Sequence, residues 1–274
     1  MTDTNTGPDF WKTAVTAIQP NELFLRGYPM SALVGRVPFS AIAYLLIRGE
    51  LPTPGAARMM DVIFSSILDY GLQKSGTLAA RAVVSVNPQM TAGLSAAMLA
   101  AGPIAVSPED AGKFIADGVK AWKASGLSVT EHAEAHVANL RAAKQRVPGF
   151  GHQVFRGTDP RAARLKEIAQ HEGVWGEANE WYEAIHAAFC KAAGKPDLVM
   201  NDVGMLGGIM VQMGFTPAEM CGLALVSTMP GLIAHISEEM QTGARNRLVP
   251  DSHVTVTQPQ RDIDADLAAA GWKA

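Results

Sequence analysis

Arg146-Val-Pro-Gly-Phe-Gly-His-Gln-Val-Phe-Arg-Gly-Thr-Asp-Pro-Arg161 gathers three Gly, two Pro, three Arg and a His in one short segment. Its end has a structural reading: Asp159 caps a helix whose first residue is Pro160. That predicted helix runs to His171 and stops at Gly173. A purely structural turn explains only Asp159 and Pro160. Gly149 and Gly151 flank Phe150, which permits positive φ and close approach of backbone to a ligand. His152 can donate or accept a proton at neutral pH. Arg156 and Arg161 supply fixed charge in a geometry suited to carboxylate or phosphate, and the helix N-terminus adds positive potential. Loop, His, two Arg and helix end together describe a site for a polyanion.

Outward from this segment, helical punctuation dominates. Pro38 to Arg48 carries apolar residues at 39, 42, 43 and 46 and stops at Gly49. Thr53-Pro54 opens another helix with Met60, Ile63, Phe64 and Ile67 on one face. Ser107-Pro-Glu-Asp110, Ser128-Val-Thr-Glu131 and Thr216-Pro-Ala-Glu219 are further helix starts. Met90 to Ala101 is nearly all small or apolar, which predicts a helix in close contact with its neighbours. Only Leu23-Phe-Leu25 and Val254-Thr-Val-Thr257 look extended. The fold class is mainly α.

Composition narrows the chemistry. Hydrophobic residues make up 48% of the chain and charged residues only 18%, so a large core and buried intersubunit surface are expected. The formal net charge is −3 and there is no basic run, so neither nucleic acid nor an anionic membrane is an expected partner. The charge-free stretch from Val203 to Ala218 is short and interrupted by glycines and a proline, too broken to span a bilayer. With a polar, acidic N-terminus, the chain reads as cytoplasmic. Cys190 and Cys221 lie in apolar helical patterns and read as buried thiols.

The middle third holds most of the His and many charges, between more apolar flanks. This pattern suggests a small domain, 106–200, inserted in a large one made of 1–105 and 201–274, with ligand at the interface. His132 and His136 sit four apart, as in zinc sites, but Glu134 is not directly after the first His and no third ligand is near. They read as an exposed helix face, and no metal is predicted. His235 reads as a hydrogen-bonded structural His rather than a ligand contact.

Pro148-Gly-Phe-Gly-His152 followed by Asp159-Pro-Arg161 resembles the signature of the citrate synthase superfamily, specifically its short, citryl-CoA lyase-like branch. Arg26-Gly-Tyr28, Phe39 to Pro52, and Gly231-Leu-Ile-Ala-His235 with Glu238-Glu239 resemble further family segments, in the family's order. The resemblance implies a helical fold with a large and a small domain, usually a homodimer or larger homo-oligomer closing over its ligands. It also implies coenzyme A as co-substrate, with an acyl-CoA and an organic acid as partners. It gives His152 to the oxo- or hydroxy-acid, Arg161 to a substrate carboxylate, and Pro148, Gly149, Phe150 and Gly151 to coenzyme A. Arg156 is a further candidate for substrate.

Other family positions are changed. Ala105 stands where a His assists enolisation, Tyr70 follows Asp69 where a carbonyl-binding His belongs, and Thr228 replaces a carboxylate-binding Arg. Asn201-Asp-Val-Gly204 exchanges Val and Asp relative to the family order. Claisen-type chemistry needs a base at carbon and a donor to the enolate oxygen, and Ala105 is neither. Ordinary citrate synthesis is therefore not expected. The expectation is a CoA-ester C–C lyase or synthase with His152, Asp202 and Tyr70 as catalytic residues. The alternatives are a non-catalytic CoA-ester or organic-acid binder or partner subunit, and a different enzyme class reusing the cleft. No Gly-x-Ser-x-Gly nucleophile motif supports the last.

Overall fold

The structure is a computed structural model and describes residues 11–69, 71–102, 108–243 and 246–272. The chain enters through three short antiparallel strands in sequential order, β1 (Thr16–Gln19), β2 (Glu22–Leu25) and β3 (Tyr28–Pro29). Asn21 and Arg26 take positive φ at the two turns. After them the named elements among the described residues are α-helices apart from one 3-10 turn: α1 (Met30–Leu33), α2 (Phe39–Arg48), α3 (Pro54–Ser66), α4 (Ser75–Val86), α5 (Met90–Leu99), α6 (Glu109–Ser125), α7 (Val129–Ala142), α8 (Pro160–His171), α9 (Glu177–Ala193), α10 (Asp202–Gln212), α11 (Pro217–Thr242) and α12 (Ile263–Ala269).

The expected starts and stops hold where the residues are described, except at α6. Thr53, Ser128, Asp159 and Thr216 each accept a backbone N–H as N-caps, and Ser128 and Thr216 complete capping boxes with Glu131 and Glu219. Gly49 ends α2 in the left-handed region. α6 departs by one residue: Pro108, expected in its first turn, is its N-cap and the helix starts at Glu109, while Ser107 lies outside the described residues.

Burial divides into three packed groups. Met59, Met60 and Ile63 of α3 meet Leu165 of α8 and Leu206, Ile209 and Met210 of α10. Ile115 of α6 and Val137 of α7 pack on Trp181 and Ile185 of α9. Ala80, Val84 and Ala97 of α4 and α5 pack on Leu232 and Ile236 of α11. Each fully buried large side chain contributes about 1.5–3 kcal/mol of transfer free energy. α8 and α10 thereby share the first core, so the residues at their N-termini sit side by side.

Three expectations are corrected, for Val254 to Thr257, for α5 and for the two Cys. Val254 to Thr257 joins no sheet; it follows a 3-10 turn at Asp251–His253 in an exposed segment. α5 is not buried all round: Gly93 and Ala97 face α4 and α11, whereas Leu99 is 87% exposed. A β-carbon at Gly93 would come 2.8 Å from Ile236 and Val84, so small size is needed on that one face. α11, at 26 residues, is long and apolar enough by length and composition to cross a membrane. Here it is a packed helix, burying Met220, Leu223, Leu232 and Ile236 against the other helices. Cys190 and Cys221 are free, as expected, but half-buried.

Candidate active site

The loop ahead of α8 is stitched to the chain entering α10. Gly151 N–H donates to the Val199 carbonyl (2.7 Å), Asn201 N–H to the Gly149 carbonyl (2.9 Å), and Asn201 Nδ2 to the Gly151 carbonyl (2.9 Å). Asn201 also accepts from Gly204 N–H as the N-cap of α10, so one side chain joins the loop to the helix end. Gly149 and Gly151 have φ of +84° and +91°. A β-carbon at Gly149 would lie 2.4 Å from the Tyr182 hydroxyl and 2.5 Å from Gly204 Cα, so only glycine fits. The Tyr182 hydroxyl donates to the Pro148 carbonyl, and burial pushes its pKa well up, keeping it protonated as donor. Phe150 packs its ring on Tyr182, His186 and Phe189.

This frame presents His152, Arg161 and Asp202 together. His152 Nδ1 accepts from the backbone N–H groups of Val154 and Phe155, both at 3.1 Å. The ring proton therefore sits on Nε2, the nitrogen 3.3 Å from Arg161 Nη2. Two donors facing each other make no bond, so that N–H is available to an incoming oxygen. Phe155 stacks on the imidazole at 4.5 Å, and the Arg161 guanidinium lies over the Phe155 ring at 5.6 Å.

Asp159 does more than cap α8. It accepts from Arg161 N–H, Nε and Nη2 at 2.9, 3.1 and 2.7 Å, while Arg161 Nη1 reaches Asp202 at 2.7 Å. Burial alone would raise the Asp159 carboxyl; the Arg161 hydrogen bonds and charge outweigh it and hold its pKa low. Asp202 goes the other way. Burial raises its pKa, attraction to Arg161 opposes this, and the neighbouring Asp159 charge adds to the rise. A carboxylate so tuned is a stronger base than an exposed one. The Asp–Val exchange leaves Asp202 turned inward at the first position of α10 and Val203 exposed.

Arg156 Nη1 donates to the His152 and Phe155 carbonyls at 2.8 and 2.7 Å, leaving Nε and Nη2 for a ligand. At Gly151 the nearest atom to a β-carbon is 4.0 Å away, so this face of the loop is open. An open glycine edge beside a half-engaged guanidinium fits a phosphate-bearing chain such as coenzyme A.

Tyr70 and Ala105 lie outside the described residues. The chain that leads into Tyr70 is held by α11. Pro230 has no N–H for the α11 ladder, and Gly231 N–H donates instead to the Leu68 carbonyl at 3.1 Å. His235, read from sequence as structural, pairs with Asp69 at 3.1 Å. Thr228 is buried, its hydroxyl donating to the Leu225 carbonyl.

Residues 52–249 match the family profile of the citrate synthase C-terminal domain. The structure of citryl-CoA lyase from Hydrogenobacter thermophilus is 33% identical and superimposes with a TM-score of 0.85, covering 94% of this chain and 99% of that one. The chain belongs to the citrate synthase family. Its fold is also that of the ATP citrate lyase from Methanothrix soehngenii in complex with citrate and coenzyme A, with a TM-score of 0.75 at 21% identity over 93% of this chain and 42% of that one. The citrate synthase of Deinococcus radiodurans is 23% identical over 223 residues, or 80% of this chain. This family member spans 56% of that relative's length.

Sequence reasoning missed several contributors. Asp159 as the anchor of Arg161 was readable from the two-residue spacing at a helix start. Asn201 and Tyr182 had no sequence signal, because their partners are backbone groups of a distant loop. His132 and His136 are corrected: they are not on a solvated face. His132 is buried and accepts from Trp181 Nε1 at 3.1 Å, and His136 lies against Phe114 and Trp181.

Proposed function

We propose that this family member is a CoA-ester C–C bond lyase or synthase acting on a hydroxyacyl-CoA or an oxo acid. The observation that carries this reading is the convergence of His152 Nε2–H, Arg161 and Asp202 beside an open glycine loop. Arg161 holds a carboxylate of the acid, and His152 Nε2–H donates to the oxygen that is carbonyl in the oxo acid and hydroxyl in the condensed ester. Asp202 moves the proton at the α-carbon of the acyl group. In the cleavage direction Asp202 takes the hydroxyl proton as the C–C bond breaks, giving oxo acid and a CoA enolate, and then returns that proton to the enolate α-carbon; condensation reverses each step. Arg156 and Pro148 to Gly151 receive the CoA chain, and Tyr70 takes the carbonyl-polarising role. The citryl-CoA lyase and ATP citrate lyase relatives support this class of chemistry.

Assays of acetyl-CoA release across a panel of hydroxyacyl-CoAs test the proposal. Turnover with at least one member, lost in Asp202→Asn, is expected. No turnover with any member, or turnover that Asp202→Asn leaves unchanged, would overturn it. A second reading, a non-catalytic binder of a CoA ester or organic acid, is favoured by Ala105 at the position of the enolising His. It predicts calorimetric binding of coenzyme A without turnover. A homodimer is part of the same proposal. α4, α5 and α11 pack on one another yet leave Leu78, Leu99, Val226 and Ile233 exposed, apolar surface of the kind that partners cover.

A further inference from the structure

A cavity of about 280 Å³ opens between α3 and α8 beside the His152 cluster, sharing Arg161 and Asp202 with it. Its floor is Val62 of α3 with Leu165 and Ile168 of α8, and its rim is cationic, with Arg58 and Arg164 joining Arg161. Arg164 is paired with Glu167. Arg58 is exposed and has no ion-pair partner among the described residues. Arg161 already serves two carboxylates, so an incoming acid finds Arg58 free and reaches Arg161 only by displacing Asp202. The Ser65 and Ser66 hydroxyls on the wall donate to carbonyls of their own helix. The floor therefore offers no donor for a further carboxylate, and burying one there would leave it unpaired at high cost. An apolar group on Val62, Leu165 and Ile168 meets only apolar neighbours.

Resting on the function proposed above, we infer that the acid half of the substrate carries an alkyl or aryl substituent. This pocket holds that substituent while Arg58 and Arg161 take the single carboxylate. The volume suits the assignment, because an apolar cavity of about 150 Å³ is enough for benzene. The substrate class is thus an apolar-substituted oxo or hydroxy acid and not a polycarboxylate.

Calorimetric titration of the intact chain with pyruvate, 2-oxohexanoate, phenylpyruvate and oxaloacetate tests this. Affinity is expected to rise about fourfold per methylene buried, with oxaloacetate no tighter than pyruvate. Ser65→Phe, at an exposed wall position, fills the pocket and flattens the series toward the pyruvate value. Ile168→Ala removes floor contacts and weakens phenylpyruvate while sparing pyruvate. Arg58→Gln weakens every acid about threefold to fivefold. A wild-type series that binds but shows no dependence on substituent, or oxaloacetate binding tightest, overturns this inference and leaves the proposed chemistry standing. No binding by any acid, with or without coenzyme A, overturns both.

Discussion

Arg161 is a cation shared by two carboxylates of opposite character. Asp159 is locked to it by three contacts and held low in pKa, whereas Asp202 touches one guanidinium nitrogen and is raised by burial. A substrate carboxylate reaching Arg161 competes with the weaker partner, so acid binding frees Asp202 in a desolvated setting. Asp202→Asn is expected to lower turnover about 100- to 10,000-fold, the usual span for a general base, while acid binding stays within a few-fold; steady-state rates and calorimetry separate the two. Asp159→Asn releases Arg161 from its anchor. It is expected to weaken acid binding and to slow turnover together, which rates across acid concentration would show as a raised KM with a lowered kcat. At Gly149 the chain's own sterics decide. Gly149→Ala combines a left-handed φ with contact on Tyr182 and Gly204, for a loss of about 2–4 kcal/mol in urea unfolding. Gly157→Ala, also at positive φ but with nothing within 4 Å, is the control and should lose only about 1–2 kcal/mol. These residues were legible unequally. His152, Arg161 and the glycines announce themselves by type and spacing, while Tyr182 and Asn201 act on backbone atoms 34 and 50 residues away, which no local pattern encodes.

At the scale of elements, local chemistry wrote the boundaries. α8 begins at the Asp-Pro pair and α11 at its capping box because these side chains satisfy amide groups that any helix leaves orphaned. What local chemistry does not write is which face of a helix meets another. α7 shows this: its mixed polar sequence suggested a solvated His pair, yet α9 lays Trp181 across it and buries His132. Burial lowers the pKa of both His132 and His136, and for His136 the neighbouring His132 adds to the effect. The unfolded chain then binds more protons than the folded one below about pH 6.5, so the stability tied to these neutral rings is complete above that pH and declines as pH falls beneath it. Tm is therefore expected to drop between pH 7 and pH 5. His136→Phe, which keeps a ring against Trp181 and removes a proton site, should give a shallower slope over the same window. An equal slope in both proteins would assign the pH dependence elsewhere.

For the whole molecule, the low charge content of the sequence and the exposed apolar side chains of α4, α5 and α11 point the same way. A chain with 18% charged residues has little polar surface with which to cover three mutually packed helices. Leu99, 87% exposed at the end of α5, Leu78 on α4 and Ile233 on α11 stand in water in the isolated chain. Burying such side chains against a second copy would stabilise the folded chain by about 1.5–3 kcal/mol for each one fully covered, which makes stability depend on protein concentration. Light scattering at micromolar concentration should give about twice the 29.0 kDa chain mass. The double variant Leu99→Glu, Ile233→Glu places charge on this surface without touching the packed cores. It should run at the mass of one chain and lose the concentration dependence of Tm, while secondary structure measured by circular dichroism is kept. A wild-type chain that scatters as a single copy would remove the homodimer, and a variant that stays at twice the mass would move the interface away from α5 and α11.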